Sequence, residues 1–179
     1  MKRFLLVSAA LCALGLLSGC RTQPQIARLP VQPAGPVSGV DLHAPRPGLY
    51  TAGQPAESDW RAIAARGVTT VINLRTPAEM DGRDEAAEVA AAGMDYHAIP
   101  VAGAAGIDAD NAAALAALLQ RVDGTVLVHC ASGNRAGGLV ALAAAADGQP
   151  AEQALRLGRA AGLSGAEAQV RDQLGLSAE

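Results

Sequence analysis

Apolar β-branched runs alternate with segments of helical periodicity along most of the chain. Strands are predicted at residues 49–51, 68–74, 96–101 and 125–129. Helical spacing of apolar residues predicts helices at 57–66, 83–92, 136–146 and 150–161, another from Asp108 or Asp110 to about Val122, and a last one after Ser164. Because strands alternate with helices, the expected fold is α/β, with a mostly parallel central sheet flanked by helices.

Turn and capping residues mark the ends of several of these elements. Gly67 and Gly93 follow predicted helices and fit their C-terminal stops. Thr76-Pro77-Ala78-Glu79 has the form of a capping box with proline in the first helical position. Asp108, or Asp110 after it, is expected to cap the helix that precedes the strand at 125–129.

The N-terminus has the pattern of an export signal. Lys2 and Arg3 form a basic start, and residues 4–17 form an apolar run that is short for a bilayer span. The run ends in Leu17-Ser18-Gly19-Cys20, which resembles the lipobox of bacterial lipoproteins. An ordinary signal peptide with an incidental cysteine is the alternative interpretation.

The lipobox resemblance implies cleavage before Cys20 and lipidation of that cysteine, so that residues 1–19 form a lipoprotein signal peptide. Two or three acyl chains would anchor the protein stably in a membrane of the bacterial cell envelope. Arg21 stands where an aspartate would favour retention in the inner membrane. The expected location is therefore the periplasmic side of the envelope, with the outer membrane favoured.

Composition divides the rest of the chain into a linker and a domain. Six of the ten prolines lie in residues 21–47, which show no apolar periodicity. We expect residues 20–47 to form a lipidated, proline-rich extended linker, of which the part near Val40 and Leu42 packs on the domain. Residues 48–179 are then expected to form one folded domain.

The stretch from Val126 to Arg135 carries the strongest chemical signal. An apolar run ends at Cys130, a loop containing Gly133 follows, and Arg135 stands at the start of an alanine-rich helical segment. A strand, a loop and a helix N-terminus form an anion cradle, because backbone N–H groups and the helix dipole favour negative charge there. Arginine adds a bidentate fork. A cysteine at such a site is stabilised as a thiolate and becomes a nucleophile.

The chain has three cysteines, and processing would leave one of them free. Cys12 would leave with the signal peptide and Cys20 would be acylated, so no intramolecular disulfide is possible in the mature protein. The place of Cys130 at a strand end, ahead of Gly133 and Arg135, predicts an exposed loop thiol that reacts with iodoacetamide. A buried core cysteine is the alternative.

Charge narrows the range of partners. The formal net charge of −3 becomes −5 once Lys2 and Arg3 leave with the signal peptide. A mildly acidic chain without a basic cluster gives no support for nucleic-acid binding. The expected partners are a small anionic substrate and, through the lipid anchor, a membrane; protein partners are not indicated. No metal or cofactor is expected, because the loop supplies positive potential by itself.

The heptapeptide His129-Cys130-Ala131-Ser132-Gly133-Asn134-Arg135 resembles the signature loop of cysteine-dependent tyrosine and dual-specificity phosphatases. Gly53-Gln54-Pro55 and Val71-Ile72-Asn73-Leu74-Arg75 precede it, and the whole pattern resembles the β-lactamase hydrolase-like phosphatase domain, a small bacterial branch of that superfamily. The resemblance covers about residues 48–175. It implies a phosphatase-like three-layer domain.

The resemblance also implies roles for the loop residues. Cys130 would be the nucleophile, and His129 would orient the loop through hydrogen bonds. The anion would be bound by the side chain of Arg135 and by the backbone N–H groups of Ala131, Ser132, Gly133, Asn134 and Arg135.

Two residues outside the loop are candidates for the same site. The family usually supplies a general acid from the loop before the helix that precedes the cysteine strand, which makes Asp108 the first choice and Asp110 the second. Helix capping is the favoured alternative for Asp108. Arg75 follows a predicted strand and is a candidate anion ligand, with a solvated surface arginine as the alternative.

Two features of the loop depart from the phosphatase pattern. Four residues rather than five separate Cys130 from Arg135, and Ala136 stands where phosphatases usually have serine or threonine. The spacing Cys-x-x-Gly-x-Arg resembles rhodanese-type sulfurtransferases, whose cysteine carries a persulfide. Three functions therefore remain open: phosphomonoester hydrolysis through a thiophosphate intermediate on Cys130, sulfur transfer, and anion binding without catalysis.

Overall fold

The computed structural model describes residues 35–37 and 39–176. The predicted signal peptide, the lipidation site Cys20 and residues 21–34 of the predicted linker lie outside the described residues. The strands are β1 (Gly35–Val37), β2 (Val40–Arg46), β3 (Leu49–Ala52), β4 (Val68–Asn73), β5 (Asp95–Ala98) and β6 (Thr125–His129). The helices are α1 (Trp60–Ala65), α2 (Glu85–Ala91), α3 (Ala109–Leu119), α4 (Asn134–Ala146), α5 (Ala151–Ala160) and α6 (Glu167–Gln173), with 3₁₀ turns at Glu57–Asp59 and Pro77–Glu79. None of the helices in the described ranges is long and apolar enough to cross a membrane.

The six strands form one sheet in the order β1-β2-β3-β6-β4-β5. β3, β6, β4 and β5 are parallel, and β2 and β1 join antiparallel beside β3. The predicted α/β fold with a mostly parallel sheet between helices is confirmed. Ala52 pairs with His129, and His129 pairs with Asn73, so the carboxyl ends of β3, β6 and β4 lie side by side. This edge is where parallel sheets build their sites.

The sheet starts earlier in the chain than predicted. β1 and β2 lie within residues 20–47, so the prediction of an extended linker is corrected over Gly35–Val37 and Val40–Arg46, while the predicted packing on the domain near Val40 and Leu42 is confirmed. Val40 and Leu42 alternate with polar residues and bury their side chains, which secures β2 to the core. The prolines are tolerated because Pro36 lies in the edge strand, and Pro45 lies where the β2–β3 register is irregular.

β6 separates two apolar cores and makes the domain three layers thick. Val126, Val128 and Cys130 belong to the core formed with α3, α4, α5 and α6. Leu127, between them, packs with Trp60 in the core on the α1 and α2 side. Alternate residues of a strand point to opposite faces, so neighbouring residues at the end of β6 reach different layers.

Glycines bring α4 and the end of α5 into close contact. A Cβ on Gly137 would lie 2.2 Å from the backbone nitrogen of Leu163, and one on Gly158 would lie 2.9 Å from the carbonyl oxygen of Gly137. Any larger residue at position 137 would force the backbones apart. Gly137 therefore serves helix packing, which fixes the position of the N-terminus of α4.

Candidate active site

The cysteine loop is held at the carboxyl end of the sheet by β3 and the residues that follow it. The Cys130 N–H donates to the Ala52 carbonyl at 3.4 Å, and the Gln54 N–H donates to the Ala131 carbonyl at 3.2 Å. Ser132 forms an antiparallel bridge with Gly53 between these two bonds. Backbone pairing on one side thus fixes the conformation of the loop.

Gly133 is the residue that turns the loop into α4. It is the N-cap of this 13-residue helix and has a φ of 86°, in the left-handed region that favours glycine. Its N–H donates to the Cys130 sulfur, with N and Sγ 3.2 Å apart. Since the first N–H groups of a helix have no acceptor within it, the positive end of α4 lies at the thiol.

The Cys130 side chain is fully buried, with 0% of its surface exposed. The predicted exposed thiol is therefore wrong. The reason is strand alternation, which points this side chain into the core beside α4, while Ala131 and Ser132 form the exposed part of the loop. Cys130 is the free cysteine of the described residues.

Arg135 lies in the first turn of α4 and is largely buried. Its Nη1 donates to the carbonyls of Val101 at 2.7 Å and Leu74 at 3.4 Å. Nη1 and Nη2 also form a bidentate pair with the Glu79 carboxylate, at 2.9 and 2.6 Å. These bonds fix the guanidinium in position beside the loop. The hydrogen bond to Glu79 raises the pKa of Arg135.

Glu79 was not recognised from the sequence as a site residue. The Thr76-to-Glu79 capping box is present, with the Thr76 N–H and Oγ both donating to Glu79 Oε2 at 2.9 Å, although it opens a single 3₁₀ turn. The hydrogen bond from Arg135 lowers the pKa of Glu79 to about 2. The same carboxylate therefore caps a turn and orients the loop arginine. The sequence offers one indication of a site role for Glu79: it is an acidic residue a few positions after β4, which ends at the carboxyl edge of the sheet.

His129 has a buried acidic partner on the other face of the sheet. Its Nε2 lies 2.9 Å from Oε1 of Glu85, both side chains are fully buried, and the Trp60 ring meets the imidazole edge to face. Burial raises the pKa of Glu85, but its hydrogen bonds with His129 and Gln54 outweigh this effect, and the net shift of the pKa is downward. Glu85, also unrecognised from the sequence, joins α2 to the last residue of β6.

Arg75 follows β4 at the carboxyl edge of the sheet, and its role as an anion ligand stays a prediction. Its Nη1 donates to Gln54 Oε1 at 2.6 Å, and Gln54 Nε2 donates to Glu85 Oε2 at 2.5 Å. Gln54 also binds Ala131 of the loop through its backbone. Gln54 therefore links Arg75 and Glu85 to the cysteine loop.

Asp108 caps α3. Its Oδ1 accepts from the Asn111 N–H at 2.8 Å, and Asp110 lies exposed in the first turn of the helix. The loop that leads to Asp108 begins at Val101, whose carbonyl binds Arg135. The hydrogen bonds of Asp108 match the capping alternative, and a role as general acid stays a prediction.

Asn134 and Ala136 lie in the first turn of α4. Asn134 Oδ1 accepts from the N–H groups of Ser164 at 2.9 Å and Ala166 at 3.3 Å, which ties the start of α4 to the segment before α6. Ala136 is fully buried.

Among residues 35–37 and 39–176, no three His, Cys, Asp or Glu side chains are grouped so that they could hold a metal ion.

A thiol at the end of a central parallel strand, an N–H donor on its sulfur and an arginine in the first turn of the following helix match the phosphatase-like domain expected from the sequence. Comparison with known families agrees with this class. Residues 41–147, more than half of the chain, match the family described as beta-lactamase hydrolase-like protein, phosphatase-like domain, and the chain belongs to that family. The match also includes most of β2, which the sequence had placed in the linker.

The relatives differ from this chain in length. A beta-lactamase hydrolase-like protein of Agrobacterium fabrum (strain C58) is 37% identical over 105 residues, which make up 56% of this chain and 24% of that protein. The chain thus spans about a quarter of the length of the curated relatives it matches.

Solved structures share the fold over most of this chain. A putative phosphatase from Neisseria meningitidis Z2491 superposes with a TM-score of 0.64 and 26% identity, covering 74% of this chain and 94% of that one. TpbA of P. aeruginosa, solved as a cysteine-to-serine variant with pTyr, has a TM-score of 0.52 and 19% identity, and covers 84% of this chain and 99% of that one. The second likeness shows the fold alone.

Proposed function

We propose that this domain hydrolyses a phosphomonoester, with Cys130 as the nucleophile. The observation that carries the proposal is the bond from the Gly133 N–H to the Cys130 sulfur at the N-terminus of α4. A donor aimed at sulfur stabilises the thiolate, which is the attacking species. Arg135, held by Glu79 beside the same loop, supplies a fixed cation for the phosphoryl oxygens.

The reaction would have two displacements at phosphorus. The Cys130 thiolate attacks, an S–P bond forms, and the P–O bond to the leaving alcohol breaks; the alcohol takes a proton, for which Asp108 is the predicted donor. Water then attacks the thiophosphate, the S–P bond breaks, and inorganic phosphate leaves with the thiolate restored. Backbone N–H groups of the loop and Arg135 would hold the equatorial oxygens in both steps.

The proposal is tested by incubating the chain and its Cys130→Ser variant with phenyl phosphate. We expect phosphate release from the wild type, loss of release in the variant, and a phosphoryl adduct in the intact mass of the wild type trapped at low pH. Ser58→Ala is the control, since Ser58 is an exposed serine outside the loop. Release that persists in Cys130→Ser would contradict the proposal.

Sulfur transfer is a second candidate because of the four-residue spacing between Cys130 and Arg135 and the buried Ala136 after it. In that reaction the Cys130 thiolate would attack the outer sulfur of thiosulfate, and the S–S bond of thiosulfate would break. Sulfite would be the leaving group, and the cysteine would keep the outer sulfur as a persulfide. A sulfur adduct on Cys130 without phosphate release would favour this candidate. Neither adduct nor turnover would leave an anion-binding module.

We also propose that the domain is held at the periplasmic side of a bacterial membrane by lipid on Cys20. The support is the Leu17-Ser18-Gly19-Cys20 motif after a short apolar run. Cys20→Ser is expected to abolish labelling with radioactive palmitate in cells, while Cys130→Ser retains it. Labelling that survives Cys20→Ser would refute the anchor.

A further inference from the structure

We propose that Arg75 forms a second anion subsite beside the Cys130 loop, so that the preferred substrate carries a second anionic group. This proposal rests on the proposed function, since the loop is taken to bind the reacting phosphoryl group. The second group is a phosphate or a carboxylate, because both match the planar fork of a guanidinium.

A cavity of about 220 Å³ lies at the carboxyl ends of β4 and β5. Asn73, Arg75, Arg83, Asp84, Glu85 and Tyr96 are among the residues that line it. Asn73 is also the register partner of His129, the residue before the cysteine. The cavity and the cysteine loop therefore share one edge of the sheet.

The other charged side chains of the cavity already have partners. Arg83 binds the Glu88 carboxylate through two donors: Nε lies 2.8 and 2.9 Å from its two oxygens, and Nη2 lies 2.5 Å from Oε2. Glu85 binds His129, and Asp84 caps α2 by accepting from the Ala87 N–H at 3.1 Å. Their charges are therefore largely satisfied within the protein.

Arg75 has no such compensation. No carboxylate of the described residues lies within ion-pair distance of its guanidinium, and its one side-chain hydrogen bond goes to the neutral amide of Gln54. Its Nε is buried without a hydrogen-bond partner. A half-buried guanidinium with an unpaired N–H donor raises the free energy of the folded protein. A bound anion would accept from that donor and remove this cost.

Gln54 fixes the position of this cation relative to the loop. The backbone of Gln54 donates to Ala131, and its side chain accepts from Arg75. Because one residue contacts both the loop and the arginine, the two anion sites lie side by side. A substrate with two anionic groups on one small scaffold could occupy both.

Binding to the Cys130→Ser chain tests the subsite without turnover. Calorimetry at constant ionic strength would compare phenyl phosphate, 3-carboxyphenyl phosphate and 1,3-phenylene bisphosphate. We expect both doubly anionic ligands to bind about fivefold tighter than phenyl phosphate. The difference between the carboxylate and the bisphosphate identifies which second group is preferred.

Variants at position 75 test whether the tighter binding of the doubly anionic ligands depends on Arg75. In the Cys130→Ser background, Arg75→Gln is expected to abolish this affinity advantage. Arg75→Lys is expected to retain part of it, because a positive charge remains although the contact with Gln54 is changed. Arg121→Gln, the same loss of charge at an exposed position near the amino ends of the strands, is expected to leave the advantage unchanged.

Equal affinity for the three ligands, or an advantage that survives Arg75→Gln, would overturn the subsite, as would the absence of any binding. Loss of the advantage in Arg75→Lys to the same degree as in Arg75→Gln would also overturn it, since a loop-supporting role through Gln54 would then explain both. Tight, Arg75-dependent binding in a chain whose wild type releases no phosphate would refute the proposed hydrolysis alone.

Discussion

Glu79 binds Arg135 through both carboxylate oxygens, at 2.6 and 2.9 Å, although 56 residues separate the two along the chain. The pair places a fixed cation in the first turn of α4, beside the thiol of Cys130. The same Glu79 oxygen that accepts from Nη1 also closes the capping box with Thr76. The turn after β4 is therefore coupled to the loop after β6.

Glu79→Gln is expected to lower kcat/KM for phenyl phosphate about tenfold, because a neutral amide orients the guanidinium less firmly. Steady-state kinetics would measure the change. Glu57→Gln, an exposed acid in the other 3₁₀ turn, is the matched control and should leave kcat/KM unchanged. An unchanged kcat/KM in Glu79→Gln would show that the pair does not serve the reaction.

The same pair makes a contribution to stability that depends on pH. The pKa of Glu79 is about 2 in the folded chain against an ordinary value of 4.5, so its contribution is present above pH 4.5 and is lost as the pH falls towards 2. Urea unfolding of wild type and Glu79→Gln should therefore show a difference in the free energy of unfolding that narrows below pH 4.5. A constant difference across this range would contradict the assignment.

The buried Glu85–His129 pair is expected to matter chiefly for stability. Glu85→Ala leaves a buried imidazole without its carboxylate and should reduce the free energy of unfolding by about 3 kcal/mol. Glu85→Gln, which keeps a hydrogen-bonding group, should reduce the free energy of unfolding by less than Glu85→Ala does. Urea unfolding would measure both, with the exposed Glu152→Ala as control. Additive effects of Glu85→Ala and His129→Ala in a double-mutant cycle would contradict a direct interaction.

Gly133 and Gly148 offer a test of the loop at equal backbone strain. Both have a φ near 87°, at 86° and 88°, but Gly133 lies at the thiol and Gly148 lies in open space after α4. Alanine at either position should cost about 1–2 kcal/mol in urea unfolding. Only Gly133→Ala should also slow phosphate release, because a changed φ moves its N–H away from the Cys130 sulfur. Equal activity in the two variants would contradict the role of this N–H.

The sequence was sufficient for features that depend on neighbouring residues. The strands at 68–74 and 125–129, the helix stop at Gly67 and the capping box at Thr76 follow from local pattern and are present in the structure. The class of the fold follows from the alternation of these elements. Local signals also placed Cys130 and Arg135 together, since both lie on one strand–loop–helix unit.

Features that depend on distant residues could not be predicted. Glu85 and His129 are 44 residues apart, and nothing in the local pattern around Glu85 distinguishes it from a surface acid on a helix. The burial of Cys130 depends on how α4 packs against β6. The edge strand β1 and its neighbour β2 were missed because their prolines are typical of linkers, whereas the alternation at Val40 and Leu42 is short.

Asp108 can be assigned to capping or to catalysis by two substitutions. Asparagine is as good an N-cap as aspartate, so Asp108→Asn should leave the free energy of unfolding unchanged. Asp108→Ala should lower it by about 1 kcal/mol, because the hydrogen bond from the Asn111 N–H is lost. A general acid is needed more by phenyl phosphate than by 4-nitrophenyl phosphate, whose leaving group is less basic. A larger loss of kcat on phenyl phosphate in Asp108→Asn would therefore establish the acid role, and equal losses or none would leave Asp108 as the cap of α3.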